Sequence, residues 1–381
     1  MTENVEYEIS NENLSLINKI TTLLKKEAVL TIASILAIIT SFFALPKLEY
    51  IDFKVLILLF NLMIVVVAFK KLKLFDAIAT SLLSKCRSFN SISYTLVLVT
   101  FFSSMVLTND VALITFVPLT LIIANKAKID SLNIIVFQTI AANLGSALTP
   151  MGNPQNLFIY SFFNISPMDF FKITLPLVIL SLMLLVLFIM CGDKKKLSFT
   201  LENVDIDNVR NVILYSILFF VILLSVFHLI DYRLTFVVTL LTVFLLDKDL
   251  FKEVDYSLLL TFIAFFIFIG NISSMDVIKD IMAKLLSSEE STYISSIVAS
   301  QFISNVPATM LISPFTSYYR ELLLGVNIGG LGTLIASLAS VISYKLYVKE
   351  NPKEGFIYVK IFTLYNIFSL ALLGVVTYML I

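Results

Sequence analysis

Tryptophan is absent from the 381-residue chain, histidine occurs once, cysteine twice and glycine ten times, and only 14% of residues are charged. Cys86, Cys191 and His228 are too few for a disulfide framework, a Cys/His metal cage or a histidine-based triad, so the cysteines read as inert. A water-soluble chain carries about 25% charged residues. The shortage of charge, against 59% hydrophobic residues, excludes that class and places the chain in a membrane. Lysine plus arginine and aspartate plus glutamate number 27 each, which removes any general attraction to nucleic acid. No GxxxxGK[ST] loop occurs, so ATP would have to be used by a separate subunit.

What the chain does have is long apolar runs. A hydrocarbon core of about 30 Å needs roughly 20 residues of helix. Seven runs read as simple crossings, at about 28–45, 53–69, 170–190, 211–230, 233–246, 257–270 and 356–380. The lead into the first holds Glu3, Glu6, Glu8, Glu12 and Glu27, unlike the basic lead of a cleaved signal, and no processing is expected. Residues 132–162 are too long for one crossing and carry Pro150 and Pro154 past their middle; residues 326–344 carry Gly329, Gly330 and Gly332 near their start. Both read as broken crossings. Residues 93–124 are interrupted at Thr108-Asn109-Asp110, and 291–324 at Ser304-Asn305-Val306-Pro307, which suggests hairpins that enter and leave on one side.

The expected fold is therefore an all-α polytopic membrane protein of about nine crossings, two re-entrant hairpins and two broken helices. With the N-terminus in the cytoplasm, 20 of the 27 basic residues fall inside, and the C-terminus lies outside. The expected location is the cell's inner membrane. His228 and Tyr232 read as interfacial, with tyrosine and phenylalanine in place of tryptophan.

Shifting residues 104–120 by 196 matches Ser104, Asn109, Ala112, Pro118 and Thr120 to identical residues at 300–316. A shift of 184 matches Asn143-Leu-Gly145 to Asn327-Ile-Gly329 and Thr149 to Thr333. Amphipathic stretches at 71–86 and 272–286 hold equivalent places. The expected organisation is a tail (1–27), a first repeat (28–190), a cytoplasmic linker (191–210), a connecting helix (211–232) and a second repeat (233–381). Four crossings per repeat and one extra helix between them make the repeats inverted. That plan belongs to secondary transporters, with sites where the breaks meet.

The chemistry is expected at those breaks. Five of the ten glycines lie there: Gly145, Gly152, Gly329, Gly330 and Gly332. Tight helix packing is the plain alternative for them. Two prolines and three amides in Thr149-Pro-Met-Gly-Asn-Pro-Gln-Asn156 are costly at membrane depth unless satisfied, which favours a site. Thr108 and Asn109, like Ser304 and Asn305, stand where one hairpin arm ends and the next presents free N–H groups and a positive dipole end. An anion could bind there without arginine or lysine; residues 93–124, 132–162, 293–319 and 326–344 contain neither. The same tip residues could instead only cap helices. Asp110 is the one acid placed in the hydrocarbon, as a cation ligand, a proton carrier or a helix cap. The substrate-binding candidates are Thr108, Asn109, Asp110, Asn143, Thr149, Pro150, Ser304, Asn305, Val306, Asn327 and Thr333.

SSMVLTNDVALITFVPLT, ANLGSALTPMGNPQNL, SQFISNVPATMLISP and GVNIGGLGTLIASLAS resemble the ion-transporter superfamily. That group holds sodium-coupled dicarboxylate and citrate symporters, bacterial citrate–metal transporters, arsenite-efflux permeases and a class of sodium/proton antiporters. The resemblance implies Na+ sites at Thr108, Asn109, Gly152 and Asn153 and at Ser304, Asn305, Gly332 and Thr333, with substrate between the tips. It implies an ion-coupled transporter for a carboxylate or oxyanion, arsenite-like species included, of elevator type. Na+ or H+ is the coupling ion and there is no other cofactor. The partners are the small-molecule substrate, the bilayer and a second copy in a homodimer. The dicarboxylate symporters carry Ser-Asn-Thr at both tips, whereas this chain has Thr-Asn-Asp and Ser-Asn-Val. A charged Asp110 would oppose an anion at 4 Å by about 4 kcal/mol at an effective dielectric of 20. A sodium/proton antiporter of the same fold is the alternative, and an intramembrane enzyme would need paired acids or a histidine cluster at depth.

Overall fold

The structure is a computed structural model that describes residues 27–84, 86, 88–190 and 204–379. The acidic lead before Glu27, Lys85, Arg87, Cys191 and most of the linker, including its basic triplet, lie outside the described residues. Among the described residues there are seventeen α-helices and no sheet. Two compact units are present.

One unit joins the chain up to Asp52 with Asp255–Ile278. Its helices α1 (Ala28–Ser41) and α11 (Tyr256–Ile272) pack side by side. Asn271, buried in this seam, bonds the hydroxyls of Thr40 and Ser41 at 3.2 and 3.1 Å. Gly270 makes room for the Tyr50 ring, which would lie 2.2 Å from an added Cβ.

The larger unit holds the other helices, which fall into three groups. The first comprises α2 (Phe53–Lys71), α3 (Leu74–Leu83), α9 (Val209–Val226) and α10 (Tyr232–Leu246), with α2 packed on α9 and α10. The second comprises α4 (Phe89–Ser103), α5 (Asn109–Ala127), α6 (Leu132–Gly145), α7 (Pro154–Phe162) and α8 (Pro167–Met190). The third, past α12 (Asp276–Leu285), comprises α13 (Glu289–Ile303), α14 (Asn305–Ile312), α15 (Tyr319–Gly329), α16 (Leu338–Glu350) and α17 (Gly355–Tyr378). The last two groups interleave: α16 lies on α5 and α6, and α14 lies on α7.

Local chemistry fixes the starts. Ser88 caps α4 by accepting from Ser91 N, and Ser288 and Ser291 form a capping box on α13. Asn153 caps α7, whose first residue is Pro154, where a missing N–H costs nothing. Among the described residues, five helices are long and apolar enough to cross a membrane: α2, α5, α8, α9 and α17. They expose the apolar faces that lipid requires; on α9, Ile213, Ile217 and Phe220 recur at helical spacing.

The bounds depart from the hydropathy reading in the second half. There the return arm of the hairpin is an eight-residue helix, α14, followed by a 3-10 turn at Ser313–Phe315. A new helix starts at Tyr319, seven positions before the expected 326. Pro314, inside that 3-10 turn, has no N–H to donate to Met310 O, and the chain leaves helical geometry at Thr316 (φ -136°, ψ 150°). Its counterpart Pro118 sits inside the 19-residue α5 without ending it.

His228, read as interfacial, has more specific company. Its backbone is left-handed (φ 62°), its ring lies 5.0 Å from that of Tyr160 on α7, and its Nε2 is 3.0 Å from Lys54 Nζ. With lysine charged, Nζ donates and Nε2 must accept, so the ring is neutral. Burial, and then the Lys54 charge, hold His228 below its ordinary value of 6.5. A base depressed on folding binds fewer protons in the native state. Stability therefore falls as pH drops below 6.5 and levels off once the folded ring is itself protonated. His228→Gln should flatten that slope, read as melting temperature against pH; an unchanged slope would assign it to another group.

Candidate functional site

Both expected interruptions are present as gaps between helices. Between α4 and α5, residues 104–108 reverse the chain, and Thr108 stands in extended backbone at the start of α5. Ser304 alone joins α13 to α14, with a φ of 72° in place of extended backbone. Asp110 is half-buried in the first turn of α5, and its N–H donates to Asn109 Oδ1 at 3.0 Å. The breaks run from Gly145 to Asn153 and from Gly329 to Ser337, each with a short 3-10 turn inside.

Each tip closes on its own break; the threonine bonds and the acceptors correspond position by position, while the tip donors, Asn109 N and Ser304 Oγ, are one position out of register. Asn109 N donates to Gly152 O at 3.1 Å, and Ser304 Oγ to Ala336 O at 3.4 Å. Thr149 Oγ1 donates to Met105 O, and Thr333 Oγ1 to Gln301 O at 3.1 Å. The shift of 196 that pairs the tips also pairs Met105 with Gln301, and the shift of 184 pairs Gly152 with Ala336. Behind the tips the glycines permit contact: an added Cβ would lie 2.6 Å from Ser104 Oγ at Gly145 and 2.7 Å from Ser300 Oγ at Gly329. Asn109 Nδ2 donates to Asn143 Oδ1 at 3.1 Å. Asn327 is buried on α15 and donates to Leu323 O at 2.8 Å. Asn305 is buried at the second tip, while Val306 and Pro150 offer no polar side-chain atom.

Two carboxamides that the candidate set omits hold the unwound backbone. Asn156 Nδ2 donates to the carbonyls of Ser146, Ala147 and Thr149 at 3.3, 3.2 and 3.1 Å. Gln301 Nε2 donates to Gly329 O at 2.8 Å and Leu331 O at 3.1 Å, while its Oε1 accepts from Thr333 N at 3.0 Å. Gly332, at φ 99°, is required there twice over, because its added Cβ would also lie 2.3 Å from Gln301 Oε1. These amides satisfy carbonyls that helix breaking frees, which is how irregular backbone survives in an apolar surround. Glu321 is also buried, at the start of α15.

Discontinuous helices whose unwound segments meet inside a helical membrane protein are the architecture of a transporter. The chain belongs to the citrate transporter family, whose model matches residues 16–319. It is 36% identical over 299 residues to MJ0456, an uncharacterized transporter of Methanocaldococcus jannaschii, covering 78% of this chain and 81% of that protein. Inner membrane protein YbiR of Escherichia coli is 28% identical over 298 residues, covering 78% of this chain and 80% of YbiR. A Dictyostelium discoideum protein named as transporter arsB is 26% identical over 147 residues, 39% of this chain and 26% of that one. The chain is thus an integral membrane protein of a transporter family, in a lipid surround and acting on an ion or small molecule.

Proposed function

We propose that the chain is an ion-coupled secondary active transporter that moves a small anion, a carboxylate or an oxyanion including arsenite-like species, across the inner membrane. The observation that carries this reading is the pair of breaks, each bonded to its own hairpin tip, in segments without lysine or arginine. An anion there is held by backbone N–H groups and by the starts of α5 and α14. Substrate lies between the two tips. One Na+ site is formed by Thr108, Asn109, Gly152 and Asn153 and another by Ser304, Asn305, Gly332 and Thr333, and H+ is the other candidate coupling ion. The matched serine–glycine and tip–break contacts support inverted repeats at 28–190 and 233–381, moving as an elevator. The basic residues favour a cytoplasmic N-terminus.

The test is flux in proteoliposomes. Uptake or efflux of at least one of citrate, succinate, sulfate or arsenite should depend on a Na+ or proton gradient, and no flux under either gradient would sink the reading. A second reading, a sodium/proton antiporter, draws on Asp110, a half-buried acid in the first turn of α5. It predicts that Asp110→Asn abolishes Na+-driven pH change; normal exchange by that variant removes it.

A further inference from the structure

Asn143 and Asn327 hold the same place in the two halves, two positions ahead of Gly145 and Gly329. Each also sends its carboxamide across to the other half. Asn143 Nδ2 donates to Ser340 Oγ at 3.2 Å and to Gly330 O at 3.4 Å, and its Oδ1 accepts from Ser337 Oγ at 2.9 Å. Asn327 Oδ1 accepts from Asn153 Nδ2 at 3.2 Å, and its Nδ2 donates to Asn156 Oδ1 at 2.7 Å. The shift of 184 that carries Asn143 to Asn327 also carries Asn153 to Ser337 and Asn156 to Ser340. The crossing is therefore reciprocal at the level of single positions, although asparagines serve on one side and serines on the other.

All six side chains are buried, none more than 4% exposed. A buried amide that loses its partner keeps the cost of desolvation without its compensation. Opening the first break pulls Asn153 and Asn156 away from Asn327, and opening the second pulls Ser337 and Ser340 away from Asn143. Neither break can unwind further without stranding polar atoms that belong to the other half. The bond from Asn109 to Asn143 extends this connection to the first hairpin tip.

We infer that Asn143 and Asn327 are positioning residues that tie the two breaks into one unit, so that ordering either break orders the other. This goes beyond the transporter reading and does not depend on it. Its consequence for cations, that two Na+ ions bind as a coupled pair, does rest on that reading.

Hydrogen exchange on the full-length protein in lipid nanodiscs separates the two. Asn327→Ala should speed exchange at residues 145–153, in the opposite half, by about fivefold, and more than at 329–337. Asn143→Ala should do the reverse. Ser337→Ala, a milder change, should speed exchange around Asn143, and Ser337→Thr, which keeps the hydroxyl, should restore it. If the asparagine variants do not fold, the Ser337 pair decides alone. Faster exchange confined to the mutated residue's own half, or spread evenly over the protein, overturns the inference. Added Na+ should protect both breaks at one midpoint in the unmodified protein and at two in Asn327→Ala. Na+ protection of neither break would refute the Na+ sites, with the brace still decided by exchange in Na+-free buffer.

Discussion

Asn156→Ala is expected to cost about 4 kcal/mol of stability and to leave no transport-competent protein. The side chain is fully buried and bonds atoms of both broken segments, of which Thr149 O also accepts from Gly152 N and Asn327 Nδ2 also donates to Leu323 O. Its Nδ2 serves three carbonyls of the first break, and its Oδ1 takes the amide of Asn327 at 2.7 Å. Each buried polar group left unmet costs about 1–3 kcal/mol. Two amide hydrogens are shared among three carbonyls, and Thr149 O and Asn327 Nδ2 keep their other bonds, so the loss amounts to about two fully unmet groups, or about 4 kcal/mol. Asn156→Asp should fare no better, because it keeps an acceptor, loses both donors and adds a buried charge. Denaturant unfolding in detergent measures the difference, and a variant within about 0.5 kcal/mol of the parent would show that water or backbone relaxation replaces the amide.

Gly152→Ala is expected to be nearly as damaging, and for a steric reason. An added Cβ would stand 2.1 Å from Ser146 O, 2.8 Å from Ser146 C and 2.9 Å from Ser146 Cα. All three are backbone atoms, so no rotamer change relieves the overlap, and the break itself must spread. Spreading it also moves Gly152 O, which receives the Asn109 N–H of the first tip. Overpacking of this kind costs about 1–3 kcal/mol, and flux should fall by about tenfold or more through the displaced tip. Gly374→Ala on α17 is the matched control, since the nearest neighbour of an added Cβ there, Ile328 Cγ2, is 4.0 Å away. That variant should melt at or above the parent's temperature. Equal melting temperatures and equal flux for the two alanine variants would refute the steric account.

Much of this was legible in the sequence because interruptions in apolar runs are local signals. Thr108-Asn109-Asp110 and Ser304-Asn305-Val306 marked both tips, and Pro154 with Asn153 marked the restart of a helix. The start of α15 was misplaced because Arg320 and Glu321 interrupt the hydropathy there, although Glu321 is buried by its neighbours rather than exposed. Gln301 escaped notice for a different reason, and Asn156, noted only as one of three costly amides, was left out of the binding set for the same one. A lone amide in an apolar helix does not announce its partner, which is set by how helices approach in three dimensions. One signal for the partners was present: the 184-residue shift already set Ser337 and Ser340 opposite Asn153 and Asn156. No comparable signal existed for Gln301, whose counterpart is Met105.

The exchange of side chains between the halves bears on how such sequences can drift. Asn327 meets partners 174 and 171 positions away, so a change at any one of these three residues alters the selection on the other two. Among relatives, positions 153, 156 and 327 should covary as one triplet and 337, 340 and 143 as another. Such covariation is what the proposed repeat origin of the two halves would leave behind.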